Sequence, residues 1–231
     1  MVGAMLAAGR STSDFRQTRP PLHRLGVPFM PYRGKRALDL AIAIPLFMLT
    51  LPVQAFAALG ILATMGSPVL FAQERPGLGG KPFTMRKFRT MHPIDPSRGR
   101  IDDASRMTRF GALLRSTSID ELPTIWNIVN RDMSLVGPRP LLTQYLERYS
   151  PEQARRMEVP PGLTGLAQVS GRNAQSWDER FAFDGAYVDA CSFGLDVRIL
   201  ARTAWTVLRR EGVSADGEAT MPEFRGSAAD Q

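Results

Sequence analysis

Residues 40 to 72 contain no charged side chain, and two prolines, Pro45 and Pro52, interrupt their first half. The run exceeds the roughly 20 residues that a helix needs to cross a bilayer, so a membrane segment is its first reading. An ordinary crossing fits poorly. Each proline removes a helix hydrogen bond and bends the axis. From Leu40 to Leu51 a helix rises only about 18 Å, against a hydrocarbon core about 30 Å thick. The flanks agree. Residues 1 to 36 carry seven Arg/Lys against one Asp, and residues 73 to 100 carry seven against two acids. Basic flanks stay on the cytoplasmic side, which assigns both ends to one side. The expectation is a re-entrant helix–break–helix over 33–65, with Pro52 as the break. A kinked single span is the alternative. Thr50 is placed to satisfy a carbonyl that the break frees.

The formal net charge of +7 selects anionic partners: nucleic acid, lipid headgroups or phosphorylated substrates. Only Lys35, Lys81 and Lys87 are lysines among 29 basic residues. Arginine suits bidentate phosphate contacts, although codon bias explains most of the skew. Cys191 is alone, so no internal disulfide forms. With only His23 and His92, zinc held by His and Cys is nearly excluded, and a required metal would be oxygen-bound, such as Mg²⁺. The first nine residues lack a basic n-region, so no signal peptide is expected.

Four regions are expected: a flexible basic segment over 1–32, the membrane element over 33–65, the main folded domain over 66–212 and a C-terminal tail over 213–231. P-G-L-G-G after Arg75 predicts a short β-hairpin, whose second arm carries Lys87 and Arg89. Residues 104 to 116 read as a helix with Met107, Phe110, Leu113 and Leu114 on one face. Then R-S-T-S-I-D-E-L-P-T-I-W-N, residues 115 to 127, sets Asp120 beside Glu121. Leu122, Ile125, Trp126 and Val129 follow at helical spacing. Pro123 fits only the first turn of that helix. The helix is therefore expected to start near Asp120, capped by Ser118 or Asp120, with S-I-D-E as a capping box. Helix initiation alone would explain the acids; the same place also gathers N–H donors for a phosphate.

Two prolines bracket Arg139 in D-M-S-L-V-G-P-R-P, which fixes its backbone. P-P-G-L-T-G-L-A-Q-V-S-G-R-N, residues 160 to 173, is glycine-rich and expected to approach a ligand closely. No GxGxxG or Walker pattern occurs. Residues 196 to 210 predict an amphipathic helix. Val197, Leu200, Ala201, Ala204 and Leu208 form its apolar face. Arg198, Arg202 and Arg209 form a basic one, with Trp205 between them. That composition suits a helix lying in the membrane interface, and equally a core helix with a solvated face.

These motifs resemble the bacterial sugar transferase family, the monotopic polyprenyl-phosphate phosphoglycosyl transferases. The resemblance spans about Lys35 to Gly226 through K-R-A-L-D, Q-E-R-P-G, K-F-R-T-M, R-S-T-S-I-D-E-L-P, W-N, D-M-S-L-V-G-P-R-P, P-G-L-T-G and G-R-N. Leu51 stands where the family usually has Ser. The resemblance implies a mostly α fold with a short β-hairpin, a re-entrant membrane helix and interfacial amphipathic helices. It implies transfer of a sugar 1-phosphate from a UDP-sugar to polyprenyl phosphate with release of UMP. Asp120 is implied as nucleophile and Glu121 as Mg²⁺ ligand. Arg115, Arg139, Arg172, Asn173, Lys87 and Arg89 are expected to contact substrate. The stretches G-R-N-A-Q-S-W and G-V-S-A-D-G-E-A-T look most like enzymes that use UDP-N,N′-diacetylbacillosamine, with hexose 1-phosphate transfer as the alternative. An inactive membrane scaffold is the alternative of another class. The implied partners are the UDP-sugar, polyprenyl phosphate and membrane lipids, with a homodimer and downstream glycosyltransferases as further candidates. The implied location is the cytoplasmic face of the bacterial plasma membrane. A nucleic-acid binder would have no use for a long uncharged segment, so nucleic acid is not expected.

Overall fold

The computed structural model describes residues 32–170, 175–209 and 223–226; the expectations for residues 1–31, Arg172 and Asn173 lie outside them. The fold is mostly helical. Helix α1, Lys35–Met65, leads into strands β1 (Leu70–Pro76) and β2 (Pro82–Phe88), which form the expected antiparallel hairpin. Helices α2 (Asp103–Arg106), α3 (Arg109–Ser116) and α4 (Ile125–Val129) follow. Strand β3 (Ser134–Val136) pairs in parallel with β4 (Gly162–Thr164), across an intervening α5 (Pro151–Ala154). Helices α6 (Leu166–Ser170), α7 (Trp177–Ala190) and α8 (Phe193–Arg209) close the order.

Helix α1 runs through both prolines as one 31-residue helix, so the expected break at Pro52 is not present. Side chains support the interruption. Thr50 Oγ1 donates to the carbonyls of Leu46 and Phe47, and Gln54 Nε2 donates to Thr50 Oγ1. Neither carbonyl is that of Met48, which lies opposite the N–H that Pro52 lacks.

Both ends of α1 pack on the rest of the chain. At the start, Lys35 Nζ lies 2.7 Å from Asp196 and also donates to the Val136 carbonyl and the Tyr187 hydroxyl. One turn later Asp39 accepts from Ser134 Oγ and the Leu135 N–H. The K-x-x-x-D spacing thus puts a cation and an anion on one helix face, both aimed at β3. Ala43 joins the main core with Ile125, Ile128, Val136, Tyr187 and Ile199. At the far end Ala57 and Ile61 join Phe88 and Leu114 in a second cluster. Between them Gln54 is buried and Phe47 half-buried, while the other face is bare, with Leu49 77% and Phe56 73% exposed.

Three local expectations are corrected. The 104–116 helix is two helices, because Thr108 adopts an extended backbone and caps α3 through the Gly111 N–H at 2.8 Å. Of its expected face, Leu114 is buried and Leu113 exposed. In α8, Asp196 and Ile199 are buried and Leu200 and Thr203 half-buried, while Val197, Ala201, Ala204, Trp205, Arg198 and Arg202 face outward. Residues 223–226, inside the expected tail, fold back: Phe224 is fully buried among Tyr145, Tyr149, Trp177 and Phe181.

Lys35→Met would leave Asp196 buried without its cation. Removing one partner of a buried pair costs about 3–5 kcal/mol. Denaturant unfolding in detergent is expected to show a loss of that order; an unchanged midpoint would mean that the α1 anchor is held otherwise.

Candidate active site

The carboxylate pair does not begin an ordinary helix. Ser118 sits in the left-handed region (φ 57°), with no side-chain cap, and residues Ile119–Thr124 form a 3₁₀ turn that passes into α4. An N-cap side chain reaches the N2 or N3 amide from extended backbone. From its own conformation Ser118 makes no such bond, so the expected capping box is absent. The acids are left for other work.

Two anchors hang this turn on the hairpin. Thr124 Oγ1 donates to the Arg86 carbonyl at 2.8 Å. Asn127 Nδ2 donates to the Thr84 carbonyl and to Asp132, while its Oδ1 accepts the Arg86 N–H. Both side chains are almost fully buried. Trp126, expected in the same buried stripe, is instead half-exposed against Phe47 of α1. The anchors bring β2 beside the acids: Lys87 Nζ lies 2.6 Å from Glu121 Oε1. Arg139 reaches the same oxygen at 2.5 Å from the β3–Pro140 turn.

The placement of Arg139 depends on contact between two backbones. Gly137 N–H donates to the Thr164 carbonyl and Gly162 N–H to that of Pro138. A Cβ on Gly162 would lie 2.1 Å from the Gly137 nitrogen. Gly137, Gly162 and Gly165 therefore meet each other rather than a ligand. Arg156, which lies 2.8 Å from Asp184, donates to the Arg139 carbonyl at 2.7 Å. Thr124 and Asn127 lie inside the 115–127 motif and Arg156 in none, but no sequence pattern marks what they do; each acts by reaching a distant backbone.

Asp120 and Glu121 have opposite electrostatics. Burial raises the Glu121 carboxyl, but the Arg139 and Lys87 charges and hydrogen bonds outweigh it and hold the group well below the usual range. Burial, followed by the Glu121 charge, pushes Asp120 up to about 6, against the pull of Lys87, Arg115 and Arg139. Asp120 makes no hydrogen bond through its carboxyl among the described residues. Arg115 is held beside it by Thr90 Oγ1 at 3.1 Å. Arg89 is elsewhere: its guanidinium caps the end of α1 on the Met65, Gly66 and Ser67 carbonyls. Met85, Thr124, Met133 and Leu163 line the cleft around Lys87, Glu121 and Arg139.

The donor set suits Mg²⁺. Among the described residues no three or more His, Cys, Asp or Glu gather into a cage. Mg²⁺ does not need one, since it commonly takes one or two carboxylates and completes its shell with water and substrate phosphates. Both cations sit on Glu121 Oε1, and Asp120 adds a second carboxylate without a hydrogen bond.

An unpaired buried carboxyl among cations, beside a neutralised one, makes this cleft the candidate site for an anionic substrate. The match to known proteins is specific. Residues 30–210 match the family model of the bacterial sugar transferases, and the chain belongs to that family. It is 49% identical over 194 residues to the uncharacterized sugar transferase EpsL of Bacillus subtilis, covering 84% of this chain and 96% of that one. It is 42% identical to the UDP-glucose:undecaprenyl-phosphate glucose-1-phosphate transferase of Caulobacter vibrioides, covering 81% of this chain and 73% of that one. The undecaprenyl-phosphate galactose phosphotransferase of Salmonella typhimurium is 36% identical over 77% of this chain, which spans 41% of that protein.

The raised Asp120 carboxyl links activity to stability. A group whose folded value is about 6, against an ordinary 3.8, favours the fold below about pH 4. That advantage is lost as pH rises through 6, by on the order of 3 kcal/mol. Asp120→Asn is expected to raise the denaturation midpoint at pH 7.5, and the gain should vanish below pH 4. A destabilised Asn variant at pH 7.5 would contradict the buried, unpaired carboxylate.

Proposed function

We propose that this enzyme moves a sugar 1-phosphate from a UDP-sugar to polyprenyl phosphate and releases UMP. The observation that carries the reading is the split between two adjacent acids. Glu121 absorbs two cations, while Asp120 remains buried and without a hydrogen bond among the described residues, titrating near 6. A carboxylate poised this way is ionised at neutral pH and poorly solvated, which suits a nucleophile.

In the first step an Asp120 oxygen bonds to the sugar-bearing phosphorus. The bond from that phosphorus to the bridging oxygen breaks, and UMP leaves with the electron pair. In the second step an oxygen of polyprenyl phosphate attacks the same phosphorus. The acyl phosphate bond breaks and the Asp120 carboxylate is restored. Lys87, Arg139 and Arg115 offset the phosphate charge throughout. Mg²⁺ bound at Glu121 would add Lewis-acid neutralisation of the diphosphate.

Our reading of the membrane path is a dip by an unbroken α1. A straight helix of this length measures about 46 Å, more than the roughly 30 Å hydrocarbon core. Its two ends pack on one catalytic domain, which supports a helix that dips in and returns to the cytoplasmic face. The outward Val197, Ala201 and Ala204 of α8, bordered by Trp205, Arg198 and Arg202, support a second helix lying in the interface.

The donor sugar has two readings. The segments 171–177 and 212–220 favour an N-acetylated sugar such as N,N′-diacetylbacillosamine. The glucose and galactose transferases among the relatives favour a hexose.

A panel of UDP-sugars, scored for UMP release with undecaprenyl phosphate in nanodiscs, separates the two. With the preferred labelled donor, rapid quench is expected to trap a protein-linked sugar phosphate that Asp120→Asn abolishes. Turnover by the Asn variant would refute the nucleophile. Arg33→Cys and Lys81→Cys, both at exposed positions, are expected to label from the cytoplasmic side in a Cys191→Ser background. Labelling from opposite sides would establish a true span.

A further inference from the structure

The inner face of the hairpin carries cations at both ends. Directly opposed residues of an antiparallel pair share a face. The pairs Phe71↔Lys87, Gln73↔Met85 and Arg75↔Phe83 therefore put Arg75 and Lys87 on the same side. Along the middle of the hairpin that side faces the domain: Gln73, Arg75, Phe83 and Lys87 are half-buried and Met85 buried, while Ala72, Glu74, Thr84 and Arg86 are exposed; at the ends Phe71 is exposed and Pro76 and Phe88 are buried. Arg75 and Lys87 lie four residue levels apart, or about 13 Å along the strands. Arg139 faces both. After burial, its charge is the next cause that lowers the Lys87 ammonium and the Arg75 guanidinium.

The two ends differ in their countercharge. Lys87 shares Glu121 with Arg139. Arg75 meets no carboxylate among the described residues. Its Nη2 donates to Gln73 Oε1 at 2.6 Å, its Nη1 to the Pro140 carbonyl at 3.4 Å, and its buried Nε has no partner. Glu74, next in sequence, points to the opposite, exposed face. The other groups acting on it are the Tyr145 and Tyr149 hydroxyls. A half-buried guanidinium set against a second guanidinium, with no acid, is costly until an anion joins them.

We propose that Arg75 is a phosphate ligand of the donor site, binding the nucleotide phosphate that departs as UMP. The assignment rests on the transfer reading above. Asp120 lies at the Lys87 end of the row, since Lys87, Arg115 and Arg139 are the cations that act on it. The phosphate nearest Asp120 is the one transferred, held by Lys87 and Arg139. The next phosphate along the row, towards Arg75, is the leaving one. As the bridging P–O bond breaks, the leaving phosphate gains a negative charge. A guanidinium there binds the transition state better than the ground state. Gln73 orients the fork, which gives the Q-E-R of Q-E-R-P-G a chemical role.

A phosphate could reach Arg75 from the donor nucleotide or from the lipid acceptor, and one set of measurements separates them. Arg75→Gln and Arg75→Lys are compared with wild type, full length in nanodiscs, for binding of UMP and of uridine and for the KM of each substrate. Arg75→Gln is expected to weaken UMP and raise the donor KM about 10- to 100-fold, the range for a lost charge-assisted hydrogen bond. Uridine affinity and acceptor KM should not move, and Arg75→Lys should recover part of the loss. Unchanged UMP affinity in Arg75→Gln overturns the proposal. So does a matched loss of UMP and uridine binding with a lowered melting point, which marks a structural role. A rise confined to the acceptor KM overturns it in favour of the lipid phosphate. A wild-type enzyme that neither binds nor releases UMP would sink the transfer reading itself.

Discussion

One carboxylate oxygen, Glu121 Oε1, holds the site together. It accepts from Lys87 on the hairpin and from Arg139 on the loop after β3. Without it the two cations would repel across a half-buried cleft. With it they are fixed while keeping donors free for phosphate. The neighbouring Asp120 is then relieved of pairing, and burial sets its proton affinity. Two adjacent acids thus differ in character because only one of them is hydrogen-bonded to the cations.

That geometry depends on unremarkable contacts. The 3₁₀ turn is suspended from β2 by Thr124 and Asn127, and Arg139 is positioned by a parallel two-strand contact that tolerates no Cβ at Gly137 or Gly162. Backbone packing brings three remote motifs within reach of one carboxylate. Arg156 completes the frame from below, tying the Arg139 carbonyl to Asp184 on α7.

Helix α1 is a wall of the enzyme as well as its apolar segment. Lys35 and Asp39 pin its start to β3 and α8, and Ala57 and Ile61 pack its far end under α3. The outer face of its middle, the outward strip of α8 and Trp126 beside Phe47 leave apolar surface uncovered. On the membrane path proposed above, a catalytic face carried by such a frame would sit at headgroup depth, where a lipid phosphate is found.

The sequence by itself determined the hairpin, the long apolar helix, the family and the pair Asp120–Glu121, because alternation, hydropathy and ordered motifs are local signals. It also marked Lys87, Arg115 and Arg139, which the fold brings to the acids. Tertiary structure alone decided which acid takes the cations, why Arg89 caps α1 instead of joining the site, and that the loop glycines serve backbone contact. It also chose which face of α8 turns inward and left Arg75 without a carboxylate among the described residues. Each of those outcomes turns on a partner far away in the chain, and no periodicity or spacing records the direction in which a side chain will find it.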